Sequence, residues 1–188
     1  IYRHFRTLRE ATDLPLWAYD IPVCVHTKLS NRLLMDLGTQ GVLSGVKDSS
    51  GDDVAFRWLA RANEEAGHPL QLLTGHEVVV DGAYMSGADG AVPGLGNVDP
   101  HAYVRMWDAF QAGDWERVRQ EQDRLADLMR IVQVSGVQGF GAGIGAFKTA
   151  LKLLGVFDTN DMPTPVKPLE GENVAWVESV LRQTGMLD

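Results

Sequence analysis

Residues 41–53 read GVLSGVKDSSGDD. The run is apolar or small through Val46 and turns polar from Asp48 to Asp52. A strand that ends at the rim of a sheet or barrel and hands over to a helix has this pattern. Alternation puts Leu43, Gly45 and Lys47 on one face and Val42, Ser44 and Val46 on the other. Lys47 is therefore expected inside a buried strand, where lysines are rare unless they have a partner or a task. Two readings follow. The lysine snorkels to solvent or pairs with Asp48 or Asp52, or it is a desolvated amine that attacks a carbonyl to form a Schiff base.

Outward from this stretch, the first two-thirds of the chain alternate helix-like and strand-like segments. YRHFRTLREAT reads as the end of a helix and LPLWAYDIP as a strand closed by Pro22. LSNRLLMDLG reads as a short helix with Ser30 as N-cap and Gly38 just past its end. DDVAFRWLARANEEAG reads as a helix with apolar positions Val54, Trp58, Leu59 and Ala62. PLQLLTG is a third strand, HEVVVDGAYMSG a short helix, and ADGAVPGLGN a fourth strand running into a glycine-rich turn. Such a βα rhythm predicts a parallel sheet. The remainder reads as successive helices, with DTNDMPTPVKP as a proline-rich connector before the last. Four βα units do not close a (β/α)8 barrel, which takes about 250 residues. The expectation is either an open doubly wound sheet or the second half of a barrel. The opening IYRHFRTLRE reads as mid-helix, which favours the half-barrel.

Composition narrows the function classes. The 188 residues carry a net charge of −8, which disfavours nucleic acid and anionic membranes as partners. One cysteine, Cys24, excludes an internal disulfide and suits a reducing, cytoplasmic setting. The five histidines show no zinc-ligand spacing.

Several residues at predicted strand ends are candidates for chemistry. Tyr19, in WAYDIP, lies at the end of the strand before Lys47 and could move protons beside a Schiff base, or be an aromatic strand residue with a bonded hydroxyl. Glu77, in TGHE, could hold substrate hydroxyls or face the dipole of the following helix. His76 reads as a surface residue. Asn97 and Asp99 read as caps of the helix that follows, and the glycines of GAVPGLGN allow backbone to approach a ligand. Cys24 reads as a small buried hydrophobe, since no base lies near it in sequence. GAGIGA, residues 141–146, matches a dinucleotide fingerprint only in letters, because it follows a helix rather than a strand.

In order and spacing, YDIP, GVKDSSGD, TGHE, GADGAVPGLGNVDP and GIGAFKTALKLLG resemble the dihydrodipicolinate synthase / N-acetylneuraminate lyase family of class I pyruvate aldolases. The resemblance implies an α/β fold. Residues 1–99 would be the second half of a (β/α)8 TIM barrel, strands 5–8. Residues 100–188 would be the last barrel helix and a C-terminal helical extension. The N-terminal barrel half would be a missing partner. It implies Lys47 as the Schiff-base lysine, Tyr19 as the proton relay and Glu77 as a carboxylate for substrate hydroxyls. Val92 to Gly94 would be backbone flanking the substrate. Asp20 replaces the family's usual Asn. Cys24 stands where dihydrodipicolinate synthases proper carry an Arg for the carboxylate of the aldehyde substrate, and a neutral thiol cannot make that bidentate contact. Val78 stands where a second acid would help hold a polyol chain.

The implied activity is a carbon–carbon lyase acting on pyruvate or another 2-oxo acid, with an aldehyde as the other small molecule. The implied protein is a homo-tetramer or homo-dimer with no metal or organic cofactor. Alternatives are a dehydratase of 2-keto-3-deoxy sugar acids, a true dihydrodipicolinate synthase, and a non-catalytic 2-oxo-acid-binding relative.

Overall fold

A computed structural model describes residues 1–188, which form two compact units, Ile1–Pro93 and Gly94–Asp188. The first contains α1 (Tyr2–Ala11), β1 (Trp17–Asp20), α2 (Pro22–Val25), α3 (Asn31–Thr39), β2 (Gly45–Asp48), α4 (Asp53–Glu65), β3 (Gln71–Thr74), α5 (Val80–Ser86) and β4 (Gly90–Ala91). The strands pair in parallel in the order β1-β2-β3-β4. This order decides between the two expected architectures. A doubly wound sheet reverses its strand order at a switch point, whereas barrel strands follow one another without reversal. The order is the barrel's.

Alternation along these short strands sets the two faces. Ala18, Val46 and Leu72 are in register and almost fully buried. They join Leu34 and Leu37 of α3 and Phe56 and Leu59 of α4 in the buried core. On the other face Trp17 pairs with Gly45, and one layer on Tyr19 pairs with Lys47 and Lys47 with Leu73. Gly45 is required there, because a Cβ would lie 2.5 Å from the Trp17 ring.

The helix starts follow the capping residues. Ser30 accepts from the Leu33 amide at 3.3 Å, and Asp52 accepts from the Ala55 amide at 2.9 Å. Two expectations are corrected. Gly38 lies inside α3, not beyond it. A Cβ there would stand 2.6 Å from Leu70 Cγ, so the glycine serves close helix packing, and the chain turns at Gly41 with φ +67°. On α4 the buried positions are Phe56, Leu59, Ala60 and Asn63, while Val54 and Trp58 face outward. Asn63 is satisfied inside the core. It donates to Leu70 O at 2.8 Å and accepts from Leu70 N at 3.0 Å, which seats the start of β3.

The second unit is helical: a 3-10 turn (Leu95–Asn97), α6 (Pro100–Gln111), α7 (Trp115–Met129), α8 (Phe140–Leu153) and α9 (Glu172–Gln183). Asp99 caps α6 through the Ala102 amide at 3.0 Å, as expected, and its other oxygen meets Arg124 at 2.5 Å. Asn97 does not cap the helix; its side chain donates to Gly94 O at 2.9 Å. A bidentate Arg105–Glu121 pair, both contacts 2.9 Å, ties α6 to α7. GAGIGA lies within α8 and follows no strand. No helix is long and apolar enough to cross a membrane.

Candidate active site

The C-terminal ends of β1 and β2 place two side chains in one register layer. Lys47 Nζ lies 3.1 Å from Tyr19 Oη and 4.3 Å from the centroid of the same ring. The carboxylates proposed from sequence as partners of Lys47 are engaged elsewhere. Asp48 points to the other face and pairs with Lys28, and Asp52 caps α4. Lys47 is half-buried rather than buried. The lysine stands one residue before the end of β2, and Tyr19 beside it is 49% exposed in this chain.

Beyond the last strand residues the ladder continues. Ser49 N donates to Asp20 O at 2.8 Å, Gly75 N to Asp48 O at 2.7 Å, and Val92 N to Thr74 O at 2.8 Å. These bonds hold the rim segments in place after Lys47. Gly75 is where the packing is tightest. A Cβ there would lie 2.1 Å from Ser49 Oγ and 3.0 Å from Lys47 Cε. Only a glycine leaves room for the lysine stem and the Ser49 hydroxyl together.

The remaining predicted residues are distributed as follows. Glu77 sits in the turn between β3 and α5, since α5 begins only at Val80, so it is not a first-turn acid of that helix. His76 pairs with Asp53 at 3.1 Å. Val92 is exposed just past β4. Gly94 opens the second unit, where its carbonyl receives Asn97. Cys24 is exposed on α2, contrary to the expected buried position. Pro22 starts that one-turn helix directly at the strand end, which lifts the thiol out to solvent. Tyr19 also lines a groove of about 410 Å³ with Phe5 of α1 and Val25, Thr27 and Leu29 of the segment after β1.

One constellation was missed from the sequence. Asp20 and Asp48 are register partners, 1% and 5% exposed. Lys28 donates to both, to Asp48 Oδ2 at 3.3 Å and closely to Asp20 Oδ2. Burial works against the Lys28 ammonium, but the hydrogen bonds and charges of Asp20 and Asp48 outweigh it and hold its pKa above the ordinary value. The signal was present: two acids at the ends of adjacent strands need a cation, and Lys28 is the lysine on the connection between them.

Against known proteins, the model of the dihydrodipicolinate synthetase family matches residues 1–184. The chain belongs to this family. An uncharacterized DapA-like lyase of Halobacterium salinarum is 31% identical over 185 residues, covering 98% of this chain and 57% of its own length. The crystal structure of a dihydrodipicolinate synthase from Thermotoga maritima superposes with a TM-score of 0.88 at 22% identity, over 99% of this chain and 61% of that one. A prophage protein of the dihydrodipicolinic acid synthase family from E. coli K12, solved with pyruvate, gives 0.89 at 21% identity, over 99% and 61%. The chain thus spans about 60% of the length of these relatives and corresponds to their C-terminal part. Its fold is that of the C-terminal half of a dihydrodipicolinate synthase barrel with the helical extension.

Proposed function

We propose that this dihydrodipicolinate synthetase family chain carries the Schiff-base half of a class I lyase acting on pyruvate or a larger 2-oxo acid. The observation that carries the reading is the Lys47 Nζ to Tyr19 Oη distance of 3.1 Å at paired strand ends. Family membership supports it, as does the pyruvate bound by the E. coli relative.

In this mechanism the Lys47 amine attacks the 2-oxo carbon and forms a C–N bond. The resulting carbinolamine loses water to give a protonated imine. For a 4-hydroxy-2-oxo acid, Tyr19, having given its own proton to the hydroxyl that leaves the carbinolamine as water, takes the C4 hydroxyl proton. The C3–C4 bond breaks, its electron pair flows into the iminium, and an aldehyde and an enamine result. The phenol returns the proton to C3, and water then hydrolyses the imine to release pyruvate and free Lys47. Tyr19 fits the relay because its hydroxyl oxygen lies 3.1 Å from the lysine nitrogen. Glu77, Val92 and Gly94 are proposed as substrate contacts in the full protein, with the N-terminal barrel half completing the site and copies of the chain assembling as a dimer or tetramer. Exposed Cys24 cannot supply an arginine's bidentate grip. This points the aldehyde preference away from substrates that present a second carboxylate there.

The test uses the full-length protein. It is incubated with pyruvate, reduced with borohydride, and the adduct is mapped by peptide mass. An adduct on Lys47 is the expected result. Its absence with pyruvate and with other 2-oxo acids overturns the reading in favour of a binding protein. Products from a 2-keto-3-deoxy sugar acid then separate cleavage, giving pyruvate plus an aldehyde, from dehydration without cleavage.

A further inference from the structure

The strand-end cluster under the proposed site carries an inference of its own, one that rests on the Schiff-base reading. We propose that Lys28 is a positioning residue: by clamping the register-paired carboxylates Asp20 and Asp48, it holds Tyr19 and Lys47 opposed.

Asp20 and Asp48 each directly follow one member of the pair. Tyr19 is opposite Lys47 and Asp20 opposite Asp48, with side chains on opposite faces of the same two strands. A displacement of either carboxylate is therefore transmitted through one Cα–Cα virtual bond to the reacting residue. Both carboxylates are buried, and on neighbouring parallel strands they are like charges a strand spacing apart. Without a cation they repel, or one must take up a proton. Lys28 removes that choice by donating to both. The other oxygens are already committed: Asp20 Oδ1 accepts from Leu29 N at 3.2 Å and Asp48 Oδ1 from Ser50 N at 2.7 Å. The cluster thus closes on backbone at both ends of the rim.

How Lys28 reaches the cluster is also built into the chain. After β1, Pro22 starts α2, and His26 ends it in a left-handed conformation with φ 54° and its amide on Pro22 O. The segment folds back, so that a residue eight positions after Asp20 returns to it. Lys28 therefore also pins the stretch whose Val25, Thr27 and Leu29 line the groove shared with Tyr19. One ammonium orders the strand ends on one face and the groove wall on the other.

The test compares full-length wild-type, K28M, K28R, D20N and K28M/D20N proteins. Pyruvate and borohydride are the probes, and maximal trapping rate and half-saturation are measured separately. K28M is expected to lower the maximal rate at least about tenfold with half-saturation within about twofold, because misplacement of a catalytic group costs rate first. D20N in the K28M background is expected to recover a large part of the loss by removing the like charge, and K28R to stay within about threefold of wild type. A K28M protein that traps at the wild-type rate overturns the proposal. So does a folded K28M whose loss is untouched by D20N, since the carboxylates would then not be the route. If K28M proves insoluble, K28Q and K28Q/D20N are judged by the same two criteria. Wild type separates the two levels: no adduct on Lys47 in wild type fails the Schiff-base reading itself, whereas a wild-type adduct with an indifferent K28M fails only the clamp.

Discussion

Replacing Gly75 by alanine would test how the rim positions Lys47. The added methyl would stand 2.1 Å from Ser49 Oγ, 3.3 Å from Ser49 Cβ and 3.0 Å from Lys47 Cε. Gly75 is not in the left-handed region, so the substitution adds volume without backbone strain. The Ser49 hydroxyl must leave its rotamer, and the lysine stem must give by a few tenths of an ångström. Overpacking by a methylene costs about 1–3 kcal/mol. Stiffening of the unfolded chain by alanine offsets about 0.4–1 kcal/mol of that. The net loss is about 1 kcal/mol, or roughly 1–2 °C in Tm at the length of the relatives, of which this chain spans about 60%. The kinetic effect should be larger in proportion. A displacement of a full ångström can cost about a hundredfold, so a few tenths should slow pyruvate trapping about three- to tenfold. Thermal melts and borohydride trapping, both on full-length protein, read the two effects. The double variant S49A/G75A separates the causes: removing Oγ relieves the worst contact and should restore Tm, but the contact with Lys47 Cε remains, so trapping should stay slow. A G75A protein with wild-type trapping would refute the reasoning, and so would full recovery of rate in the double variant, which would make Ser49 rather than Lys47 the affected group.

Two further outcomes follow from the ion pairs. Burial opposes protonation of His68, but its bonds to Glu64 at 3.2 Å and Asp89 at 2.9 Å prevail and raise its pKa above 6.5. A raised folded-state pKa gives stability that is full below the unfolded value and lost as pH rises through the folded one. The Tm advantage of wild type over H68N should be full below the ordinary histidine pKa and shrink as pH rises above it, asparagine being chosen because it tolerates the left-handed φ of 60°. The effect should stay below about 1 kcal/mol because the ring is substantially exposed, and a gap that widens with pH would contradict it. In the second unit, burial raises the Asp99 pKa, but Arg124 and the Ala102 amide outweigh this and lower it, so its stability contribution is lost as pH falls through the depressed value. D99A removes both a cap and a buried ion-pair partner and should cost about 3 kcal/mol in denaturant melts at neutral pH, at the lower end for such pairs because Arg124 keeps access to water. A loss under about 0.5 kcal/mol, the size of an ordinary surface change, would refute it.

Much of the fold was legible because short-range chemistry writes it into the chain. Ser30 and Asp99 mark their helix starts with side chains that bond the next turn, and strand ends announce themselves where apolar runs meet Asp, Ser and Gly; Asp52, read as a partner for Lys47, caps α4 instead. Lys47 and Tyr19 were legible for the same reason, as polar groups at the ends of two such strands. Faces and ends of helices were less so. Val54 and Trp58 satisfied an apolar pattern yet lie on the outer side of α4, because periodicity locates a stripe without saying which stripe meets the sheet. Gly38 looked like a helix terminator because a glycine's freedom is visible in sequence, whereas the Leu70 side chain that demands its smallness is 32 residues away.

By itself, then, the sequence determined the βα rhythm, the caps at Ser30 and Asp99 and the strand-end residues, since each depends on neighbours within a few positions. The tertiary structure alone decided that strand order runs without reversal, that Tyr19 and Lys47 share a layer, and that Asp20 and Asp48 share one cation. Those are consequences of register between strands 28 residues apart, and register is set by how the intervening helices pack rather than by any local preference of the residues it brings together.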